Sequence, residues 1–556
     1  MESKEQEKET KFSFVKDESD PLKDKYGMWP FIQSGTKPEH RFEVKFDAIK
    51  DLDESYADKE IKLRARLQRS RVKGKGGFIV LREGVYTVQG CMFVAENVVS
   101  KQMLTFVNAI HPESIVQVEG KVKKTEKPVE SCTQKNVEID ITAIYLVVDA
   151  TNVLPFQMED ACRKVNPEME EDDYQEKKEE KKEEKKEEEK KEEEKKEGEE
   201  SKKEKKKKEK KEKKEKKADE KKEKKDIVVK MKTRLDNRVM DLRVPTTQAI
   251  FRIQSTVSAL FRECLSKKGF IEIHTPKIIP GASEGGANVF KLKYFDREAC
   301  LAQSPQLYKQ MCIIGDLKKV YEVGAVFRAE NSLTSRHLCE FTGLDFEMEI
   351  KEHYFEVLDV IGEVFNYIFN GLNERCKAGL EAINNQYPFE PLEFLKEPLK
   401  LDYREGCKLL AENGFKQDVN EDLDTENEKA LGKLVKDKYH TDFYILYRYP
   451  KSARPFYTMP DPEDENFTNS YDAFIRGEEV LSGAQRIHDY DLLMKKILEK
   501  KINPATLKDY TDSFKLGAPA HGGVGIGLER VVKLFTGIKN VKKCVMFPRD
   551  PKRLNP

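Results

Sequence analysis

The chain has 556 residues, too many for one compact core, so two or more domains are expected. Its 102 Lys and Arg residues balance 102 Asp and Glu residues, which gives a formal net charge of zero and hides how unevenly charge is distributed. The ten cysteines contain no C-x-x-C pair and the eight histidines no H-E-x-x-H spacing, which argues against a structural zinc site. No secretory leader opens the sequence, and no apolar run approaches the roughly 20 residues of a membrane span, so we expect no membrane attachment and a cytoplasmic location.

Residues 1–58 are polar apart from K-Y-G-M-W-P-F-I-Q-S and are predicted to be a flexible or loosely docked extension. From Ile61 onward, alternating stretches such as G-F-I-V-L-R-E-G and V-Y-T-V-Q-G-C-M-F-V predict closely spaced strands. Their spacing indicates a five-stranded β-barrel of the oligonucleotide-binding (OB) type over residues 59–152. The basic turn R-V-K-G-K-G-G after the first strand is expected at the rim of this barrel, where it would contact phosphates.

Residues 172–226 consist almost entirely of Lys and Glu and follow a predicted hinge at 153–171. They offer no apolar face, so they cannot contribute to a core and are predicted to separate two domains. Two interpretations stay open for this insert, a solvated spacer and a sliding contact for an RNA backbone. The spacer is favoured, because runs of charge usually stay hydrated.

Residues 227–556 are predicted to form one large catalytic unit of mixed α/β (α+β) class. A first helix is predicted to end at Gly269, because apolar residues recur at helical spacing at Ile250, Ile253, Val257, Leu260 and Phe261. The following F-I-E-I-H-T-P-K-I is predicted to be a strand with Pro276 at its end.

Two further strand-like runs, V-Y-E-V-G-A-V-F-R-A-E and C-E-F-T-G-L-D-F-E-M-E, predict an antiparallel pair joined by a polar loop. In the second strand Phe341, Gly343, Asp345 and Glu347 alternate, so we expect them on one face. The chain has no G-x-x-x-x-G-K-[ST] motif, so a nucleoside triphosphate would need another phosphate site.

Two arginines can supply that phosphate site. Arg328, the last residue before the polar loop, can grip a phosphate through two parallel hydrogen bonds, while Phe341 offers a flat surface for a purine. The run A-H-G-G-V-G-I-G-L-E-R is predicted to be a glycine-rich turn that leads directly into a helix. Arg530 then lies in the first helical turn, where a helix favours anions.

These motifs resemble the signatures of class II aminoacyl-tRNA synthetases. F-R-A-E-N followed by R-H-L-C-E-F-T-G-L-D resembles the second signature, G-I-G-L-E-R the third, and the helix and strand ending at Pro276 the first, which builds the dimer interface in that family. With the upstream barrel, the chain from Ile61 to its C-terminus resembles the aspartate branch of subclass IIb in its eukaryotic cytosolic form. The resemblance implies an antiparallel-sheet catalytic domain, an OB-fold anticodon-binding domain and a homodimer. It further implies activation of L-aspartate with ATP and Mg²⁺ and transfer to tRNA(Asp).

The resemblance assigns the ATP site residue by residue. Arg328 is similar to the arginine on the α-phosphate, Phe341 to the adenine-stacking aromatic residue, and Arg530 to the arginine on the γ-phosphate. Glu479 and Ser482 match the magnesium-binding pair, and oxygen ligands of this kind suit magnesium. Catalysis is assigned to Arg328, Arg530 and Glu479. The remaining ATP contacts are assigned to Glu330, Arg336, His337, Leu338 and Gly527.

The amino-acid pocket follows in the same way. Lys309 and Arg486 resemble the pair that neutralises the side-chain carboxylate of aspartate, with Asp345 orienting the lysine. A buried cationic pair would exclude a neutral or positive side chain, because an unpaired buried charge costs several kcal/mol. The other predicted contacts are Gln303, Gln306 and Ser482, together with Ser283 and Glu284 in a glycine-rich loop predicted to close over the substrate.

In the barrel, Phe78, Gln89 and Glu138 match the anticodon readers of the family, which stack a splayed base and bond its edges. The alternative for Phe78 is an ordinary place in the barrel core. Two alternatives also remain for the whole chain, the asparagine enzyme of the same subclass and a non-catalytic RNA-binding paralogue. The set of Lys309, Asp345 and Arg486 speaks against the first alternative. The presence of Arg328, Glu479 and Arg530 speaks against the second.

Overall fold

The structure is a computed structural model that describes residues 11–33, 45–165, 228–281 and 288–556. Two compact units result, one comprising residues 1–162 and 239–248 and the other residues 163–238 and 249–556. The Lys/Glu-rich insert predicted at 172–226 lies outside the described residues. The domain boundaries drawn from the sequence stay predictions.

A closed barrel forms the centre of the first unit. Its strands follow the order β6-β4-β3-β2-β5, and β5 pairs with β6 to close the ring. Side chains that alternate along each strand fill the interior, as Ile61, Leu63 and Leu67 do on β2. The five predicted strands are confirmed as β2 Glu60–Lys73, β3 Gly76–Glu83, β4 Tyr86–Phe93, β5 Ile115–Lys124 and β6 Val137–Val148.

A short additional strand, β1 Tyr26–Met28, pairs parallel with β6. Tyr26 is buried, its hydroxyl donates to Asp20 Oδ2 at 2.9 Å, and its ring packs against Phe14 and Phe106. This part of the predicted flexible extension is therefore built into the barrel unit, because its aromatic side chains find apolar partners there. Phe106 belongs to helix α1 Lys101–Ala109, which begins with Ser100 accepting a hydrogen bond from Met103 N.

An eight-stranded sheet forms the frame of the second unit. The strand order is β13-β14-β15-β16-β17-β12-β11-β7, with parallel pairs only at the two ends of the sheet. A separate three-stranded sheet has the order β8-β10-β9. The strands are β7 Ile271–Glu272, β8 Ile278–Ile279, β9 Lys291–Tyr294, β10 Arg297–Leu301, β11 Lys319–Phe327, β12 Glu340–Glu349, β13 Leu399–Asp402, β14 Phe443–Tyr447, β15 Ser470–Ile475, β16 Glu478–Gln485 and β17 His521–Gly527.

Helices pack against this sheet, and the largest apolar core lies between them and the strands. Two long helices, Pro245–Lys267 and Phe355–Arg375, supply much of that core. They approach each other closely, since a Cβ on Gly371 of the second helix would lie 2.5 Å from Leu260 of the first. No helix of the described residues is long and apolar enough to span a bilayer. The further helices are α2 Met158–Ala161, α3 Met231–Asp236, α4 Arg238–Asp241, α5 Pro245–Lys267, α6 Gln306–Cys312, α7 Phe355–Arg375, α8 Lys377–Gln386, α9 Tyr403–Glu412, α10 Thr425–Tyr439, α11 Tyr490–Glu499, α12 Lys508–Phe514 and α13 Leu528–Phe535.

The predicted helix ending near Gly269 is confirmed as α5, and the antiparallel pair as β11 and β12. The strand predicted over F-I-E-I-H-T-P-K-I is wrong in length, because β7 contains only two residues. The backbone N–H of Thr275 bonds to the side chain of Glu322 at 3.2 Å instead of to a strand carbonyl, and Pro276 has no donor.

The glycine-rich run before Arg530 is a strand, β17, and the predicted turn is wrong. Glycine is required there by close packing. A Cβ on Gly523 would lie 2.2 Å from both Glu347 Oε2 and Phe346 O. On the neighbouring β16, a Cβ on Gly483 would lie 2.4 Å from the ring of Tyr471. The glycines therefore let polar side chains of the adjacent strand lie across β17.

We predict that Gly523→Ala lowers the free energy of unfolding of the second unit by about 1–3 kcal/mol or more, since extra volume in a packed interior forces neighbours apart. Gly315→Ala is the matched control, because Gly315 has φ −80° and open space where the Cβ would stand. Denaturant unfolding followed by near-UV circular dichroism measures both. Equal stability of the two variants would contradict the packing explanation.

Candidate active site

A cavity of about 1080 Å³ opens over strands β12, β16 and β17 of the second unit. It brings together most of the site residues predicted from the sequence. Lys309 is not on the lining and lies buried near it, while Ser283 and Glu284 fall outside the described residues. The predicted residues that line the cavity are Gln303, Gln306, Arg328, Glu330, Arg336, His337, Leu338, Phe341, Asp345, Glu479, Ser482, Arg486, Gly527 and Arg530.

Two predicted phosphate arginines stand on separate elements of this cavity. Arg328 follows β11, and its guanidinium lies 5.5 Å from the centre of the Phe341 ring. Arg530, in the first turn of α13, donates from Nη1 to the backbone oxygen of Glu479 at 3.0 Å. The carboxylate of Glu479 is 3.9 Å from the same nitrogen, so this end of the cavity combines cations with a carboxylate.

The loop between β11 and β12 contributes His337 and Arg336. The Nδ1 atom of His337 is 2.6 Å from Thr334 Oγ1, so the ring also organises the loop itself. Burial and the positive charge of Arg530 lower the pKa of His337, which favours a neutral ring at pH 7. Arg336 is anchored through Nη1 to Glu428 and Thr425 of α10.

The predicted magnesium residues stand in an acidic part of the cavity. Burial and the neighbouring Asp472 raise the pKa of Glu479, so a cation beside it would offset an electrostatic cost. Arg454 already neutralises Asp472 through two bonds of 3.0 and 2.6 Å, and it donates to Ser482 Oγ at 3.0 Å. Within the described residues no group of three His, Cys, Asp or Glu side chains is arranged to hold a metal alone.

Four buried charged side chains lie at the end of the cavity that is lined by Asp345 and Arg486. Lys309 Nζ lies 3.1 Å from Asp345 Oδ1 and 3.4 Å from Glu347 Oε2. Arg486 donates from Nε to Glu347 Oε1 at 2.9 Å and from Nη2 to Oε2 at 3.3 Å. Glu347 therefore bridges the two predicted cations, and at most 5% of any of the four residues is exposed.

Strand β17 completes this network with backbone oxygens. Lys309 Nζ donates to Val524 O at 2.7 Å, and Arg486 Nη2 donates to Gly523 O at 2.9 Å. Burial alone would raise the pKa of Glu347, but Arg486 and Lys309 outweigh it and hold the pKa below its usual range. Burial raises the pKa of Asp345, although Lys309 opposes the rise.

The electrostatic picture drawn from the sequence included Asp345 beside Lys309 but no carboxylate for Arg486. The structure adds Glu347, which pairs with Arg486 and lies close to Lys309 as well, so two carboxylates balance the two cations. The reason is physical, since two unpaired cations in a dry interior would be too costly to keep. The bonds to Glu347 and Gly523 use Nε and Nη2 of Arg486. Its Nη1 is left without a hydrogen bond to any described residue.

Gln303 and Gln306 line the same end of the cavity with buried amide groups. The oxygen of Gln303 and the amide nitrogen of Gln306 have no hydrogen-bond partner among the described residues. Buried polar atoms are nearly always paired in folded proteins. Their position beside a cavity leaves them available to a polar ligand or to water.

The three predicted anticodon residues lie in the first unit, on the outer face of the barrel. Phe78 is 43% exposed, while its neighbour Ile79 is buried, so Phe78 is not part of the barrel core. Gln89 and Glu138 lie opposite each other on β4 and β6, and Gln89 Nε2 donates to Glu138 Oε2 at 3.0 Å. This arrangement combines an exposed aromatic ring with polar groups that can bond base edges.

Three residues of the cavity region were missed by the sequence analysis, namely Glu347, Glu428 and Arg454. Glu347 carried a usable signal, because it alternates with Asp345 on a strand already assigned to the site. Glu428 and Arg454 carried none, because each is separated by many residues from the signatures and belongs to no motif. Only folding brings them to Arg336 and to Ser482.

Comparison with known proteins agrees with this geometry. Residues 230–551 match the family model "tRNA synthetases class II (D, K and N)", and residues 61–147 match "OB-fold nucleic acid binding domain". The cytoplasmic aspartate–tRNA ligases of Caenorhabditis elegans and Homo sapiens are 46% and 47% identical to this chain. Each alignment covers 97% of this chain, and 92% and 96% of those proteins respectively. A solved aspartyl-tRNA synthetase from Entamoeba histolytica is 43% identical, with a TM-score of 0.78 and 96% of both chains covered.

The catalytic sheet, its cavity and the separate OB-fold barrel together define a class II tRNA synthetase. The family model alone leaves open which amino acid is the substrate, since its description includes D, K and N. The sequence identity to aspartate–tRNA ligases over nearly the full length decides between these three. The chain belongs to the aspartate–tRNA ligase family.

We predict that Glu347→Gln lowers the free energy of unfolding by about 3–5 kcal/mol, because it removes one partner from a buried network of ion pairs. Glu349→Gln on the same strand is the matched control. Glu349 pairs only with the exposed Lys351, so its loss should cost less than about 1 kcal/mol. Denaturant unfolding at pH 7 separates the two.

The dependence of the unfolding free energy on pH below 4.5 provides a second test of the charge on Glu347. Because the folded pKa of Glu347 lies below 4.5, its stabilisation is present above pH 4.5 and is lost as the pH falls below that value. Glu347→Gln should remove this contribution, so the loss in stability relative to wild type should shrink on acidification. A loss that is independent of pH would contradict the charged network.

Proposed function

We propose that the chain activates L-aspartate with ATP, forming aspartyl-adenylate and pyrophosphate, and then transfers aspartate to the 3′ end of tRNA(Asp). Membership of the aspartate–tRNA ligase family supports this reaction, and ATP is the substrate implied by the class. The relatives are named as cytoplasmic enzymes, and we assign the chain to the same compartment. The observation that carries the proposal is the buried network of Lys309, Asp345, Glu347 and Arg486 at one end of the cavity.

We attribute the selection of aspartate to Nη1 of Arg486, the guanidinium nitrogen that the buried network does not use. Glu347 engages Nε and Nη2 of Arg486, so Nη1 can donate to the side-chain carboxylate of the substrate. A carboxylate there gains a charge-assisted hydrogen bond, whereas the neutral amide of asparagine offers a weaker acceptor. Gln303 and Gln306 can fix the remaining polar atoms of the amino acid through their unpaired amide groups.

Activation requires little proton transfer, so positioning and electrostatics supply most of the catalysis. The substrate carboxylate attacks the α-phosphorus in line, the bond to the pyrophosphate oxygen breaks, and pyrophosphate leaves. Arg328 is assigned to the α-phosphate and Arg530 to the γ-phosphate, while Phe341 stacks the adenine. In the second step the terminal 3′-hydroxyl of the RNA attacks the acyl carbon and AMP leaves.

The acidic end of the cavity fits a magnesium ion. Glu479 and Ser482 would hold it through carboxylate and hydroxyl oxygens, the ligand type that magnesium prefers. When bound, the ion neutralises phosphate charge. Burial and Asp472 disfavour the ionised form of Glu479 more than Arg530 and Arg454 favour it, so a further cation beside its carboxylate would offset a remaining electrostatic cost, which supports this assignment.

A homodimer is proposed on the family resemblance of the α5 and β7 region. Ile271 and Ile278, which follow α5, are 48% and 49% exposed in the single chain, as expected of residues that a partner would cover. Light scattering coupled to size exclusion measures the mass. A monomer at micromolar concentration would contradict this part of the proposal.

Arg328→Ala should reduce aspartate-dependent ATP–pyrophosphate exchange by about 100-fold or more, because it removes a charge aimed at the reacting phosphate. Arg375→Ala is the control, since Arg375 forms an exposed ion pair with Glu263 away from the cavity. Exchange near the wild-type rate in Arg328→Ala would contradict the assignment. Exchange measured for the wild-type protein with aspartate and with asparagine in parallel tests the two alternatives for the whole chain. A preference for asparagine would overturn the proposal, and so would RNA binding without any exchange.

Phe78→Ala should raise the KM for tRNA(Asp) roughly tenfold and leave ATP–pyrophosphate exchange unchanged, since loss of base stacking costs about 1–3 kcal/mol. Tyr86→Ala is the matched control, because Tyr86 is 40% exposed at the other end of the same strand pair. Aminoacylation kinetics and exchange together provide the measurement. A tRNA KM that is equal in the two variants would exclude Phe78 as an anticodon contact.

A further inference from the structure

The loop residue Arg336 is held from behind by helix α10. Its Nη1 donates to Glu428 Oε2 at 3.0 Å and to Thr425 Oγ1 at 2.8 Å. Arg336 lines the cavity, whereas Glu428 and Thr425 are absent from its lining. The anchor therefore lies outside the cavity lining, while Arg336, which it holds, belongs to that lining.

Anchoring through one nitrogen leaves other donors of Arg336 available. Its Nε is buried and has no hydrogen-bond partner among the described residues. An unpaired buried donor is costly, and folded proteins rarely keep one without a ligand or water to satisfy it. A phosphate oxygen matches the guanidinium well, because the planar fork of N–H groups suits bidentate contact with phosphate.

Helix α10 is itself held close to the strand that carries Glu479. A Cβ on Gly432 would lie 2.3 Å from the Cα of Gly477, the turn residue just before β16. Gly477 has φ +72°, which favours glycine, so neither residue can gain a side chain cheaply. This backbone contact fixes the distance between α10 and the Glu479 end of the cavity.

The charged residues that act on Glu428 all line the same cavity. Glu428 is 7% exposed, and its carboxylate experiences the fields of Arg336, Glu479 and Arg530. Burial raises its pKa to about 7, while Arg336 and Arg530 favour the ionised form and Glu479 opposes it. An ion pair with Arg336 at this depth is shielded from water and is stronger than an exposed pair.

From this geometry we infer that Glu428 and Thr425 are positioning residues that hold Arg336 with its free donors towards the triphosphate of ATP. The inference rests on the proposed function, because it requires ATP in the cavity. It extends that proposal to helix α10, a part of the chain outside the three signatures. The rival explanation is a purely structural bond between the loop and the helix.

The test uses ATP–pyrophosphate exchange with the full chain at about pH 8, above the pKa of about 7 of Glu428, so that its carboxylate is ionised. Glu428→Gln keeps the shape of the side chain and removes its charge, and Thr425→Val removes the second acceptor. Each should raise the KM for ATP, by roughly tenfold for Glu428→Gln, because loss of a charge-assisted bond loosens the arginine. The KM for aspartate should stay close to wild type. Glu426→Gln is the matched control, since Glu426 is an exposed carboxylate in the same helical turn.

Arg336→Ala and the double variant Arg336→Ala/Glu428→Gln complete the experiment. If Glu428 acts through Arg336, Glu428→Gln adds nothing to the ATP KM once Arg336 is gone. An unchanged ATP KM in Glu428→Gln and Thr425→Val, with a raised value in Arg336→Ala, would overturn the positioning role alone. An equal rise in Glu426→Gln, or equal changes in the KM for ATP and aspartate, would also overturn it. Absence of aspartate-dependent exchange in wild type would instead refute the proposed function.

Discussion

The bridge that Glu347 forms between Lys309 and Arg486 is the interaction around which the catalytic unit is arranged. Two cations and two carboxylates can remain in a dry interior only when every charge has a partner and the spare hydrogen-bonding groups are satisfied. Asp345 supplies the second carboxylate, and Lys309 and Arg486 each donate one further hydrogen bond to a strand carbonyl. The wall at this end of the cavity is therefore charge-balanced, and Nη1 of Arg486 is left without a hydrogen bond to a described residue.

This network restricts the strand that runs beside it. The side chain of Glu347 lies across β17 so closely that Gly523 has no room for a Cβ. The same strand ends at Gly527, where α13 begins and places Arg530 above Glu479. A single run of glycines thus bonds Lys309 and Arg486 through its backbone and places Arg530 through the helix that follows. Fold and site share one packing constraint.

The Arg530 end of the cavity depends on elements from distant parts of the chain. Arg328 and Arg336 belong to the β11–β12 loop, Arg454 precedes β15, and Glu428 comes from α10. Arg454 neutralises Asp472 and contacts Ser482, which leaves Glu479 as the carboxylate without a close cation of its own except Arg530 at 3.9 Å. Such an arrangement suits a ligand that carries its own negative charge together with a metal ion, as a nucleoside triphosphate does.

Much of this architecture could be predicted from local patterns. Alternation marked the barrel strands and the β11–β12 pair, helical spacing marked α5, and the signature residues Arg328, Phe341 and Arg530 indeed meet in one cavity. The strands and the helix depend on residues close together in the chain, so the sequence determined them by itself, whereas the meeting of the three signature residues followed from the resemblance of the signatures to a known family. The shared face of Asp345 and Glu347 was likewise readable from the period of a strand.

Only the tertiary structure decided the features that depend on distant partners. Tyr26 joined the barrel because Phe106 lies beside it, and the predicted strand before Pro276 stopped early because Glu322 captured the N–H of Thr275. The glycine-rich run became a strand because its neighbours occupy the space of its missing side chains. The compensation of Lys309 and Arg486 and the anchoring of Arg336 by Glu428 were equally hidden, because the pairing of buried charges is settled by three-dimensional packing and leaves no local period in the sequence.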